Sequence, residues 1–124
     1  MGAWLKVFFL LFLIQNLVQH ASGRNVMQVR VTGMAWYRED TFTRLRAMFE
    51  DGDKLHRTYK EWLVAAEAGR KSYESQGIRV ICVDIDPDNF PEWCKANGMK
   101  LNAEARIKFA NVRAYETVSG KTSL

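Results

Sequence analysis

The chain is poor in the residues that most often announce a chemistry. Its 124 residues include only two cysteines, two histidines and two prolines. Two cysteines, Cys82 and Cys94, are too few for a disulfide scaffold or a cysteine-built metal cage. The histidines are His20 and His56. His20 sits in the apolar leader and His56 in a charged linker, so no nucleophile–base pair is signalled. Pro87 and Pro91 fall in one short stretch, which excludes a proline-rich spacer or recognition tract. Repeats, low-complexity tracts and long blocks of one charge sign are missing as well.

Long apolar runs are also scarce. The one present runs from Val7 to Val18 and contains Gln15 and Asn16. A membrane-spanning helix takes roughly 20 apolar residues, and this run has about a dozen. That is the length of an export-signal core, with Lys6 before it and Ala21-Ser22-Gly23 supplying small residues at a cleavage site. Residues 1–23 therefore read as a cleavable signal, with cutting before Arg24 and a chain exported from the cell. Two other readings stand beside it. One is a retained anchor with Trp4 at the interface, the only route to a membrane partner. The other is translation from Met27 or Met34, which leaves a cytoplasmic chain.

What remains is one small domain. Hydrophobic residues make up 48% and charged residues 26%, the balance of a globular fold. The basic excess is misleading. Lys6, Arg24 and Arg30 lie before Met34 with no acid among them, which leaves 15 Lys+Arg against all 14 Asp+Glu in the rest. Signs are interspersed there, as on a solvated surface. A nucleic-acid partner wants a concentrated basic face, so such a partner is not expected.

Periodicity divides the chain. Val26 to Val31 alternates and is β-branched, a strand candidate that Gly33 would end. Residues 24–33 are accordingly a linker or strand, residues 34–116 the domain, and residues 117–124 a frayed polar tail. Glu39 to Phe49 reads as a helix with Phe42, Leu45, Met48 and Phe49 on one face. Thr58-Tyr59-Lys60-Glu61 is a capping box, and Tyr59, Trp62, Ala66, Gly69 and Tyr73 form a helical stripe that reads as core. Gly77 supplies a left-handed stop. Ile78 to Ile85 is apolar at both parities, so it reads as a strand covered on both faces. Asp86-Pro87-Asp88 opens a helix, with Asp86 as cap. Asn97-Gly98 ends it, and Asn102 caps a last helix carrying Ala105, Phe109 and Val112. The expected class is a mostly helical α/β fold in the order (β)-α-α-β-α-α.

A lone buried strand leaves its amides unpaired. Residues 78–85 must therefore pair with the 26–31 segment, or with the same strand of a second chain across a two-fold axis. A homodimer follows if translation begins at Met34.

Residues 34–116 carry a resemblance. Met34-Ala35-Trp36-Tyr37-Arg38-Glu39-Asp40, Thr58 to Trp62, Val83 to Pro87, Phe90, Trp93-Cys94 and Asn102 to Arg106 together resemble a group of small bacterial proteins of uncharacterised function. The resemblance implies a start near Met34 and an intracellular protein. It carries no activity.

Three constellations merit attention. Asp84, Asp86 and Asp88 follow a strand, where carboxylates are placed to take a divalent cation or serve a minor hydrolase. The calcium-loop template fails, because its glycine and twelfth-position glutamate are replaced by Asn89 and Lys95. Helix capping is the plainer reading. The second is a helical hairpin over 88–115, with Arg106, Lys108 and Arg113 as candidate contacts to DNA. Against it, no amide or aromatic cluster is there to read base edges. The third is an interface set: Trp36, Tyr37 and Arg38 beside Val80 and Cys82. Cys82 itself reads as a small buried hydrophobe, and pairing with Cys94 is left open. No resident cofactor is called for beyond that cation. The leading expectation is an interaction or accessory domain that self-associates through strand 78–85, with any further protein partner unspecified.

Overall fold

A computed structural model describes residues 30–120. The segment 1–23, with its signal and anchor readings, lies outside the described residues, as do residues 26–29 of the expected first strand. Among the described residues no helix is long and apolar enough to cross a membrane.

The order is strand, helix, helix, strand, helix, helix. Strand β1 spans Arg30–Trp36. Helix α1 spans Phe42–Met48 and is followed by a 3-10 turn at Gly52–Lys54. Helix α2 spans Tyr59–Ser75 and leads into strand β2, Ile78–Asp84. Helix α3 spans Asn89–Ala96 and α4 spans Ala103–Ser119. The two strands form one parallel sheet, with Arg30 beside Ile78 and Trp36 beside Asp84. A parallel pair needs a crossover, and α1 with α2 supplies it.

Strand β1 runs further along the chain than the 26–31 segment, to Trp36. Gly33 does not end it; Gly33 is its buried centre. A Cβ placed there would lie 2.1 Å from the Ala110 carbonyl oxygen and 3.0 Å from the Ala114 methyl. The glycine is an allowance for α4, which lies directly on the strand. The domain accordingly takes in Arg30 to Gly33, and β1 runs straight through the expected boundary at Met34.

The helices follow local chemistry. Thr58 and Glu61 make both arms of the capping box. Gly77 is left-handed, at φ 81°, between α2 and β2. Asn102 caps α4 by accepting the Ala105 N–H at 3.0 Å. The expected frayed tail is helical through Ser119, where Gly120 takes a left-handed stop at φ 71°. Thr117 helps hold that last turn by donating its hydroxyl to the Arg113 carbonyl.

The core is aromatic. Trp62 is buried and meets Trp36 edge-on at 5.1 Å, with Tyr37 at 4.8 Å and Tyr59 at 5.5 Å. Phe49 joins this group to a second one, with its ring 5.9 Å from Tyr37 and 6.0 Å from Phe90. Phe90, Trp93 and Phe109 complete the second group. The stripe on α2 is core, as its spacing predicts.

The close approach at Gly33 is testable. Gly33→Ala should cost about 3 kcal/mol or more, because the new methyl strikes a backbone carbonyl that cannot turn aside. Gly77→Ala meets no atom within 4 Å and should cost only about 1–2 kcal/mol, for its left-handed backbone. Urea melts of both variants decide the order; equal costs would mean that α4 is free to move off the strand.

Candidate functional site

The chemistry of this fold begins with the two edges of its sheet. In a parallel ladder the residues of a strand point their backbone groups alternately toward one neighbour and the other. The Ile85 N–H donates to the Trp36 carbonyl at 3.0 Å. With the register above, the odd-numbered residues of β2 bond to β1, and Val80, Cys82 and Asp84 point their amides away from it. On β1 the even-numbered residues face β2, and Gly33 faces out.

The outer edge of β1 is capped at its centre, Gly33. The Gly33 N–H donates to Asn111 Oδ1 at 2.9 Å. The Thr32 hydroxyl, fully buried, donates to the Gly33 carbonyl at 3.4 Å. Asn111 is held in turn by its Nδ2, which donates to the Ile107 carbonyl at 3.1 Å. At Gly33 one side chain of α4 thus stands in for a neighbouring strand.

The outer edge of β2 is open. The sheet has no third strand among the described residues. Cys82 and Asp84 are exposed, and Val80 and Ile81 are half-buried. This corrects the reading of 78–85 as covered on both faces, and of Cys82 as a buried hydrophobe. A run that is apolar at both parities fits a central strand, but here it forms an edge. Cys82 and Cys94 are both free, and Cys94 is the buried one. Partial desolvation by neighbouring atoms still raises the Cys82 thiol above its ordinary pKa; Arg70 opposes that, and Glu67 and Glu74 add to it.

The carboxylates at the end of β2 are dispersed. Asp86 spends one oxygen on the helix start, accepting the Asp88 N–H at 2.9 Å and the Asn89 N–H at 2.7 Å. Asp88 pairs with Arg44 at 2.7 Å in the open. Asp84 stays apart from both of these contacts. Desolvation raises its pKa, Arg38 draws it back, and Asp86 and Asp40 push it up. Among the described residues no three His, Cys, Asp or Glu side chains converge as a metal site would require. The capping role read for Asp86 is what the geometry shows.

The basic candidates do not form one exposed patch. Arg106, read as outward, is buried. It donates twice to Asp51, at 3.0 and 2.8 Å, and its guanidinium lies 4.3 Å from the centre of the Phe49 ring. The buried hydroxyl of Tyr37 is beside it: burial raises the Tyr37 pKa and Arg106 pulls it back. Arg113 pairs with Glu116 at 3.2 Å and stacks on Phe109 at 5.0 Å. Of the three, only Lys108 is exposed. The interface set divides too. Tyr37 is core, Trp36 is half-buried on Trp62, and Arg38 is exposed and pairs with Asp40 at 3.2 Å.

Two functional features escape a reading of the sequence: the Asn111 edge cap and the Asp51–Arg106 pair. Asn111 is a polar residue beside the apolar face of Phe109, Ala110 and Ala114, the one signal that could have shown it. No protein-family model, curated protein or solved structure matches the chain, so no family or activity is carried over from a relative.

The buried pair makes a pH prediction. Partial burial works to raise the Asp51 carboxyl, but the Arg106 hydrogen bonds and charge outweigh it and hold it below its ordinary value. A depressed carboxylate adds stability above its unfolded pKa and loses it as pH falls through the folded one. The loss therefore begins near the ordinary aspartate pKa of about 4 and continues below it. Asp51→Asn should cost about 3 kcal/mol at neutral pH, because it leaves a buried guanidinium without its counter-charge. The variant should also lose less on acidification than the parent. A parallel fall of both melting curves from pH 6 to pH 3 would contradict this account.

Proposed function

We propose that this chain is a small interaction domain that self-associates through the outer edge of β2. One observation carries the reading: a side chain caps the centre of one sheet edge, at Gly33, and no side chain or third strand among the described residues does so on the other. Edge strands offer a row of unpaired donors and acceptors, and proteins commonly cover or charge them. Here the cover is spent on β1. The middle of β2 holds Val80, Ile81 and Cys82, with charge only at Arg79 and Asp84.

A second copy is the occupant that fits. Parallel sheets are normally buried, and a two-stranded sheet is a weak platform by itself. Pairing β2 with its own copy would build four strands from two. Charge supports an antiparallel pairing. Arg79 lies near the start of the strand and Asp84 at its end. Antiparallel copies bring opposite charges toward each end of the ribbon, and parallel copies would bring like charges together, which is unfavourable.

Light scattering on the full chain at micromolar concentration should return the mass of two chains. Cys82→Pro should return the mass of one. The Cys82 N–H points away from β1, so proline removes an outer donor and no bond within the sheet. Far-UV circular dichroism should therefore match the parent. A single-chain mass for the parent, or an undiminished dimer for a folded Cys82→Pro variant, would overturn the reading.

A further inference from the structure

Resting on that strand-edge reading, we infer that two copies meet in one register, with Ile81 of each chain on the two-fold axis and Val80 of each opposite Cys82 of the other. Parity limits the choices. The outward amides and carbonyls of β2 belong to its even-numbered residues, as the Ile85–Trp36 hydrogen bond and the strand register require. Antiparallel residues that exchange both bonds must each face outward. Even residues therefore pair with even residues, and the permitted registers differ by steps of two.

Overlap chooses among them. Centred on Ile81, all seven residues from Ile78 to Asp84 find a partner. A step either way leaves two residues at one end of each β2 unpaired. Every missing partner returns a donor or acceptor to solvent and leaves a side chain without its cross-strand neighbour.

The side chains agree with the backbone. Ile81 packs on the edge of the core and is half-buried. On the axis it lies opposite itself in a non-hydrogen-bonded pair, where Cα atoms approach to about 4.5 Å and side chains touch. Two half-covered isoleucines then complete each other's burial. On the other face Val80 covers Cys82 of the second copy, the exposed apolar position at the open edge. Arg79 stands opposite Val83 of the second copy, one residue from its Asp84, so each end of the ribbon carries both signs.

The register has a chemical signature. Val80 and Cys82 of opposite chains form a hydrogen-bonded pair, with Cα atoms about 5.5 Å apart. That lies inside the usual disulfide span of about 4.4–6.8 Å. Two Cys82 residues are instead displaced by two positions along the strand, roughly 7 Å, as well as across it. Their Cα atoms then sit roughly 9 Å apart, beyond the limit of about 7 Å for bridging without backbone movement.

The experiment treats the full chain with diamide, which takes two electrons and two protons from a thiol pair, and reads non-reducing gels. Light scattering of the untreated samples runs beside it. Val80→Cys should form a covalent dimer through residues 80 and 82. The parent chain, which presents Cys82 alone, should not, and neither should Val80→Cys combined with Cys82→Ser. A covalent dimer of the parent would place Cys82 opposite itself and overturn the register. So would a covalent dimer of the double variant, which places position 80 opposite itself. A two-chain mass with no bond in Val80→Cys also overturns the register while leaving self-association standing. A single-chain mass for the parent overturns both.

Discussion

The architecture depends on the absence of one side chain. Gly33 lets α4 settle against β1 until the Ala110 carbonyl occupies the space a Cβ would take. Two alanines, Ala110 and Ala114, form the helix side of that contact and are fully buried. At this distance Asn111 comes level with the strand edge and captures the Gly33 N–H. Helix packing and edge capping are thus one event. A larger residue at 33 would push α4 outward, strand the Asn111 amide away from its partner, and expose the outer amide of β1. The asymmetry of the sheet follows directly, because the helix that caps β1 cannot also cap β2.

The second constraint is the buried guanidinium of Arg106. It ties the last helix to the turn after α1 through Asp51, and to Phe49 and Tyr37 through packing. Burying a charge is costly unless it is paired and hydrogen-bonded. Asp51 supplies both in a two-point contact, and the Glu50 N–H bonds to the Leu101 carbonyl at 2.8 Å alongside. Surface pairs such as Arg44–Asp88 contribute far less, since solvent screens them. The α1 turn and the α4 start are held by polar geometry, while the end of β1 and the start of α2 are held by aromatic burial.

This division explains what is legible in the sequence. The capping box at Thr58–Glu61, the stripe from Trp62 to Tyr73, the stop at Gly77, and the cap at Asn102 are local signals, and each stands where its spacing predicts. The order of elements follows from them. Features set by contacts between distant residues are not legible. Gly33 looks like a strand end because glycine usually punctuates, and only the Ala110 carbonyl shows why it is internal. Arg106 looks outward because helical spacing says nothing of a carboxylate 55 residues away. Cys82 looks buried because apolar parity cannot tell a central strand from an edge. The carboxylates Asp84, Asp86 and Asp88 do gather after β2 in sequence, but their hydrogen bonds scatter them in space.

The open edge then takes on meaning from its contrast with the capped one. A protein that only needed to avoid association would blunt β2 as it blunts β1, with a side chain reaching over the backbone or a charge in the middle of the strand. On the strand itself charge is confined to the ends, at Arg79 and Asp84, and the middle is apolar, with Glu67, Arg70 and Glu74 of α2 near Cys82. That pattern excludes a strand presenting the same charges in parallel and admits the one that presents them reversed, which is how specificity arises from repulsion as much as from attraction. A foreign strand would satisfy the amides equally well, because backbone bonds carry no identity. The reversed copy of β2 also offers an apolar centre of matching length with opposite charge toward each end. On the proposed self-pairing, the same seven residues would supply both the surface and its complement.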